Sequence, residues 1–242
     1  MKSITVSSVV YHVDGQPYES RLAFDPSRED SLPGLLMAPN WMGISADAEE
    51  IAKSVAEQGY VVLIADLYGQ GIRPANGDDA GAAMMPLKND RQLLRKRMLA
   101  AYDELKKQNL AVVDSSKLAT FGFCFGGCCS LELARSGASL NAAISFHGTL
   151  DTPNPADAKN ISGSVLVLHG AADPMVPHEQ LPAFEAEMSA AGVDWQLTSY
   201  GGAVHSFTDV HANVPGKTMY DAKTASRAFI AMHNLLDEVF KG

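Results

Sequence analysis

The segment Gly122-Phe123-Cys124-Phe125-Gly126-Gly127 constrains this chain more than any other. It follows an apolar run, Leu118-Ala119-Thr120-Phe121, and precedes a helical pattern from Cys128 to Arg135. A G-x-C-x-G turn in that position predicts a sharp strand-to-helix elbow, which lifts one side chain clear of a sheet edge. The central residue of such a turn has positive φ, and side chains two positions away on either side would collide. Gly126 and Gly127 also let the following helix approach the neighbouring strands closely. The side chain presented is the thiol of Cys124. Taken alone, the same letters also fit an ordinary strand–turn–helix junction around a buried cysteine.

Two later segments decide between these readings. Ser164-Val165-Leu166-Val167-Leu168-His169-Gly170 is a short β-branched run of the kind that forms a buried parallel strand. It enters Ala171-Ala172-Asp173-Pro174, which places a carboxylate just past the strand's carboxyl end. A further β-rich run, Trp195 to Tyr200, enters the glycine-rich loop Gly201-Gly202-Ala203-Val204-His205. The chain order is therefore nucleophile, acid, histidine, the order of α/β-hydrolase triads. All three residues fall at the carboxyl ends of predicted strands, where open parallel sheets carry their chemistry. Asp173 alone would read as a helix cap for the segment beginning near Pro177. His169 is the rival base, with a core hydrogen-bonding role expected instead, and His147 ends another predicted strand where it would line the pocket. No tight H-x-x-x-H or C-x-x-C pattern accompanies His178 or His211, so no metal is expected.

The chemistry follows from the residue types. A free thiol, with a pKa near about 8.5, is mostly protonated at neutral pH and needs a base. His205 would take that proton, and Asp173 would fix the histidine tautomer and stabilise the imidazolium. Attack on a carbonyl creates an oxyanion that requires preorganised N–H donors. The backbone N–H of Phe125, immediately after the nucleophile, is one expected donor. The second is expected from the loop after an early strand, Leu35-Leu36-Met37-Ala38-Pro39-Asn40-Trp41-Met42-Gly43, with Trp41 favoured.

These residues resemble the dienelactone hydrolase family within the α/β-hydrolase superfamily. The resemblance covers most of the chain, through Ala38-Pro39-Asn40-Trp41-Met42-Gly43, Ala65-Asp66-Leu67-Tyr68-Gly69, the Cys124 elbow, His169-Gly170-Ala171-Ala172-Asp173 and Val204-His205-Ser206-Phe207. It implies a cofactor-free hydrolase of small esters or lactones with Cys124, Asp173 and His205 as its triad. Two departures bear on substrate. Family members of the chlorocatechol pathway carry a glutamate where this chain has Asn40, and a carboxylate-binding arginine where it has Asp209. A second substrate-binding arginine of those enzymes has Arg73, Arg91 and Arg95 as possible counterparts, with Arg91 assigned to the pocket. The scaffold and triad carry over; dienelactone itself as substrate does not.

Composition narrows the alternatives. With 242 residues, 46% of them hydrophobic, the chain is expected to form one α/β domain over residues 1–242. A net charge of −9 without a basic cluster disfavours nucleic acid as a partner. No apolar stretch reaches the roughly 18 residues of a membrane span. The segment Met1 to Val10 alternates like a strand and lacks a signal-peptide core, so a cytoplasmic monomer or small homo-oligomer is expected. Three cysteines packed into Cys124 to Cys129 argue against a disulfide framework. A non-hydrolytic redox or ligand-binding protein on the same fold is the alternative, and a serine-type peptidase or lipase is disfavoured by the thiol and the short chain.

The periodicity predicts strands at 4–11, 18–24, 33–38, 60–65, 117–123, 142–146, 164–169 and 194–200. Helices are predicted at 46–58, 90–108, 125–136, 178–191 and 217–240. Val13-Asp14-Gly15-Gln16 signals an antiparallel hairpin, and Ser45 and Gly59 bound the first helix. From Leu32 onward strands alternate with helices. The expected architecture is an α/β-hydrolase fold, a mostly parallel central sheet of about eight strands with helices on both faces. Gly69 to Pro86 is expected to be an irregular loop over the active site.

Overall fold

The computed structural model describes residues 3–241; Met1 and Lys2 of the amino-terminal segment read above lie outside them. Eight strands form one mostly parallel sheet, and the chain divides into two compact units, residues 1–120 and 121–242. The fifth strand, β5 (Val113–Phe123), runs through the division.

The first unit opens with β1 (Thr5–Val13) and β2 (Gln16–Phe24), an antiparallel hairpin. Asp14 and Gly15 make its turn with φ of 51° and 77°, the mirror-image turn that matches strand twist. β3 (Leu32–Ala38) and β4 (Val61–Ile64) pair in parallel, and β2 meets β4 antiparallel, giving the order β1-β2-β4-β3-β5. Leu35, Leu36, Leu63 and Ile64 are wholly buried, as expected of strands covered on both faces. Burying each such side chain contributes about 1.5–3 kcal/mol. Between β3 and β4 lies α1 (Ala46–Ala56), whose Ser45 cap accepts from the Ala48 N–H at 3.2 Å.

The stretch expected as a loop, Gly69 to Pro86, is corrected by the structure. Much of it is a helix, α2 (Gly77–Asn89), followed by α3 (Arg91–Lys106). Asn76 accepts from the N–H groups of Asp78 and Asp79, and those two carboxylates lie at the positive end of the helix dipole. That capping starts the helix, and Pro86 lies inside it, where its missing N–H removes one intrahelical hydrogen bond.

In the second unit the order is β5-β6-β7-β8, with β6 (Ala142–Phe146), β7 (Ser164–Gly170) and β8 (Trp195–Tyr200) parallel. The helices are α4 (Phe125–Arg135), a short 3-10 turn at Pro155–Asn160, α5 (Gln180–Ala191) and α6 (Ala222–Lys241). Leu131, Val165, Val167, Phe184 and Met188 share one core cluster. The last helix begins at Ala222 rather than 217 because residues 213–219 form a small hairpin, β9 (Asn213–Val214) and β10 (Thr218–Met219).

Candidate active site

The elbow is formed. Cys124 sits between β5 and α4 with φ 56° and ψ −119°, a conformation that L-residues avoid and that surrounding structure must hold. Its N–H points at two acceptors, the Phe146 carbonyl at 3.0 Å and Nδ1 of His147 at 3.2 Å. Gly127 is required by close packing. A Cβ there would lie 2.5 Å from Ser145 Oγ and 3.0 Å from the Gly148 Cα. Cys124 is partly exposed, whereas Cys128 and Cys129 are buried in α4.

Asp173 lies in the turn after β7. Its Oδ1 accepts from the Met175 N–H at 2.8 Å and its Oδ2 receives the His205 Nδ1–H at 2.8 Å. It does not cap α5, which starts at Gln180. The loop carrying His205 is fastened from two sides. Ala172 N–H donates to the Ala203 carbonyl at 2.9 Å, and Met219 N–H of the small hairpin donates to the His205 carbonyl at 3.1 Å. Gly170 makes the first contact possible, since a Cβ there would stand 2.7 Å from the Ala203 oxygen.

With Nδ1–H committed to Asp173, the reactive face of His205 is Nε2. That atom is buried and makes no hydrogen bond of good geometry, while Cys124 is the neighbour that acts on the ring's charge. Burial pulls His205 down, but the Asp173 carboxylate and the Cys124 thiol oppose it and raise the group to about 10. Resting-state contacts between a nucleophile and its base are commonly loose and tighten on binding. The arrangement can therefore hold a proton between sulfur and imidazole.

His147 is not a simple pocket wall. It is buried, with φ 40°, and its Nε2 lies 2.8 Å from Thr208 Oγ1. Its ring meets those of His205 and Phe207 edge-on, with centroids 5.1 and 4.9 Å away. Burial, then the nearby His205, hold it well below the ordinary histidine pKa. The expected hydrogen-bonding role of His169 is not met at Nδ1, which is buried without a partner, and burial lowers its pKa as well.

The remaining expected residues are engaged locally. In the first unit Asn40 Oδ1 accepts from Met42 N–H at 2.9 Å, and the Trp41 carbonyl accepts from Tyr68 Oη at 2.7 Å. Arg73 donates to the Glu19, Gly69 and Ile72 carbonyls and lies 3.5 Å from the buried Asp66 carboxylate. Arg91, the first residue of α3, is buried. In the second unit Asp209 Oδ1 accepts from His211 N–H at 2.9 Å within the histidine loop. Thr208 was not singled out by the sequence reading, and nothing local in the sequence marks it. Among the described residues no group of three or more His, Cys, Asp or Glu side chains is set to hold a metal ion.

A mostly parallel eight-stranded sheet with a positive-φ elbow residue defines an α/β-hydrolase fold. Within that class the chain belongs to the dienelactone hydrolase family, whose model matches residues 20–240. Two solved structures superpose with a TM-score of 0.91 over 98% of both chains: m3DLH, 40% identical, and a dienelactone hydrolase-like promiscuous phosphotriesterase from metagenomic libraries, 37% identical. A Bradyrhizobium protein provisionally named 2-oxo-3-(5-oxofuran-2-ylidene)propanoate lactonase is 29% identical, covering 78% of this chain and 79% of its own length. Among the described residues no helix is long and apolar enough to cross a membrane.

Proposed function

We propose that this chain cleaves small carboxylic esters or lactones through a covalent acyl-enzyme on Cys124, with His205 and Asp173 as its partners. The observation that carries the reading is the 2.8 Å His205–Asp173 bond, which leaves Nε2 buried beside the thiol of a strained elbow. With the thiol proton already held on His205 Nε2, the thiolate sulfur bonds to the carbonyl carbon and the C=O electron pair moves to oxygen. Phe125 N–H is the proposed donor to that oxyanion. Collapse breaks the C–O bond, and the departing alkoxide takes the proton from His205, leaving a thioester. Water then gives a proton to His205, attacks the thioester carbon and expels the sulfur as thiolate beside the protonated ring. With a lactone the alkoxide stays attached, and one hydroxy acid is released.

The family match and the lactonase relative support this substrate class. The likeness to a promiscuous phosphotriesterase supports phosphotriesters as a second electrophile for the same thiol. A redox cycle through neighbouring cysteines finds less support, because Cys128 and Cys129 are buried. Hydrolysis of p-nitrophenyl acetate by Cys124→Ala is the direct test. Activity should vanish while circular dichroism is unchanged, and limiting iodoacetamide should alkylate Cys124 before Cys128 or Cys129. Near-normal turnover by Cys124→Ala sinks the mechanism.

A further inference from the structure

We infer that His147 and Thr208 are positioning residues that tie the elbow of Cys124 to the loop of His205. The inference rests on the triad proposed above and adds a connection that the triad does not contain. It begins with the tautomer. Nδ1 of His147 lies 3.2 Å from the Cys124 N–H, a group that can only donate, so Nδ1 carries no proton. A neutral ring must then carry its proton on Nε2, and the atom 2.8 Å from Nε2 is Thr208 Oγ1, which accepts it. One imidazole thus joins the backbone of the nucleophile to a side chain three residues beyond the base.

Three further observations give this link a mechanical role. His147 is anchored from its own backbone, its N–H donating to the Leu168 carbonyl of β7 at 2.8 Å. It sits at φ 40°, and the elbow at φ 56° and Ser206 at φ 59° are strained in the same sense. Apart from Asp14 in the β1–β2 turn, these are the only non-glycine residues with positive φ among those described. Backbone held in such conformations persists only when neighbours over-determine it. The His147 ring bonds to Cys124 N–H on one side and, on the other, to Thr208, two residues past Ser206. Its low basicity fits the role, because a protonated ring would set a second N–H donor against Cys124 N–H and break the link. A neutral ring edge against His205 also adds no second charge beside the imidazolium.

The expected signature is a loss in kcat with little change in KM, since the link sets the alignment of sulfur and base rather than substrate contact. Misplacement of reacting groups by about 1 Å costs on the order of 10²-fold. For p-nitrophenyl acetate, Thr208→Val should lower kcat by about tenfold and His147→Phe by about 10²-fold, with KM within about twofold. The iodoacetamide alkylation rate of Cys124 should fall in parallel. Thr208→Ser, which restores the acceptor, should recover most of kcat. The double variant should be no slower than His147→Phe alone, because both changes cut one connection. If His147→Phe does not fold, the Thr208 pair decides. Unchanged kcat in Thr208→Val, a loss confined to KM, or a Thr208→Ser as slow as Thr208→Val overturns the inference. An active Cys124→Ala would instead remove the triad reading beneath it, so the two failures are told apart.

Discussion

The second unit buries two ionic clusters, and they are finished to different degrees. Around Arg135 every nitrogen has an acceptor. Nε and Nη2 each bond a Glu187 oxygen at 2.8 Å, Nη1 reaches Glu132 at 3.0 Å, and Nη2 also donates to the Leu150 carbonyl. Around His205 one nitrogen is satisfied by Asp173 and the other is buried without an acceptor. A buried polar atom left unpaired costs about 1–3 kcal/mol, and this one lies beside the Cys124 thiol. The Arg135 cluster knits α4 to α5; the His205 cluster keeps a valence open beside a thiol. Completeness marks structure, and the open position marks chemistry.

Swapping the consequences is the sharpest way to break that contrast. His205→Gln should lower ester hydrolysis per folded molecule by about 10⁶-fold, the scale seen when a triad loses its base. Arg135→Met acts on the fold and leaves the chemistry alone. It strands two buried carboxylates, Glu132 and Glu187, and should destabilise the fold by about 3–5 kcal/mol. The turnover of the molecules that remain folded should be unchanged. Active-site titration combined with denaturant unfolding measures both quantities. If Arg135→Met cuts turnover per folded molecule as deeply as His205→Gln, the two clusters are not separable in this way.

The His205 cluster should also reveal itself along the pH axis. His205 titrates at about 10 in the folded chain, against about 6.5 when unfolded. The folded state therefore holds an extra proton between those values. The stabilisation is fully present below about pH 6.5 and is lost as pH rises through about 10. Urea midpoints taken from about pH 6 to about pH 10 should fall in the parent chain and fall less in His205→Gln. A midpoint that rises with pH, or an identical slope in the variant, contradicts the raised pKa.

How much of this was legible in the sequence depends on the range of the interactions. The β–turn–α pattern around Cys124 and the buried runs of β3, β4, β6 and β7 are local signals, and their strands lie within a few residues of expectation. Ser45 and the Asp14-Gly15 turn were readable for the same reason. The helix α2 was hidden because its glycine, its proline and its many small residues resemble a loop, while its start depends on one capping side chain, Asn76. Two-residue strands such as β9 and β10 are too short to show alternation. The His147–Thr208 link joins residues 61 positions apart, and no pattern within either segment announces the other. Chain order pointed to the His205–Asp173 pair; only coordinates show which ring nitrogen remains open.

The smallest expected effect concerns what the open position accepts. Asp209 stands four residues after His205, where the resemblance would place a carboxylate-binding arginine, and its own carboxylate is already occupied by the His211 N–H. Asn40 is likewise turned onto the Met42 N–H, and Arg73 is committed to carbonyls and Asp66 in its own unit. A substrate carboxylate brought to the histidine loop would therefore meet like charge, where each 1.4 kcal/mol is about tenfold in specificity. Neutral short-chain esters or lactones should be preferred to matched carboxylate-bearing ones by about tenfold in kcat/KM. Asp209→Asn should narrow the gap, and Asp209→Arg should narrow it further or reverse it. A parent chain that favours the anionic ester, with no response to either substitution, would place the charge selection on a residue other than Asp209.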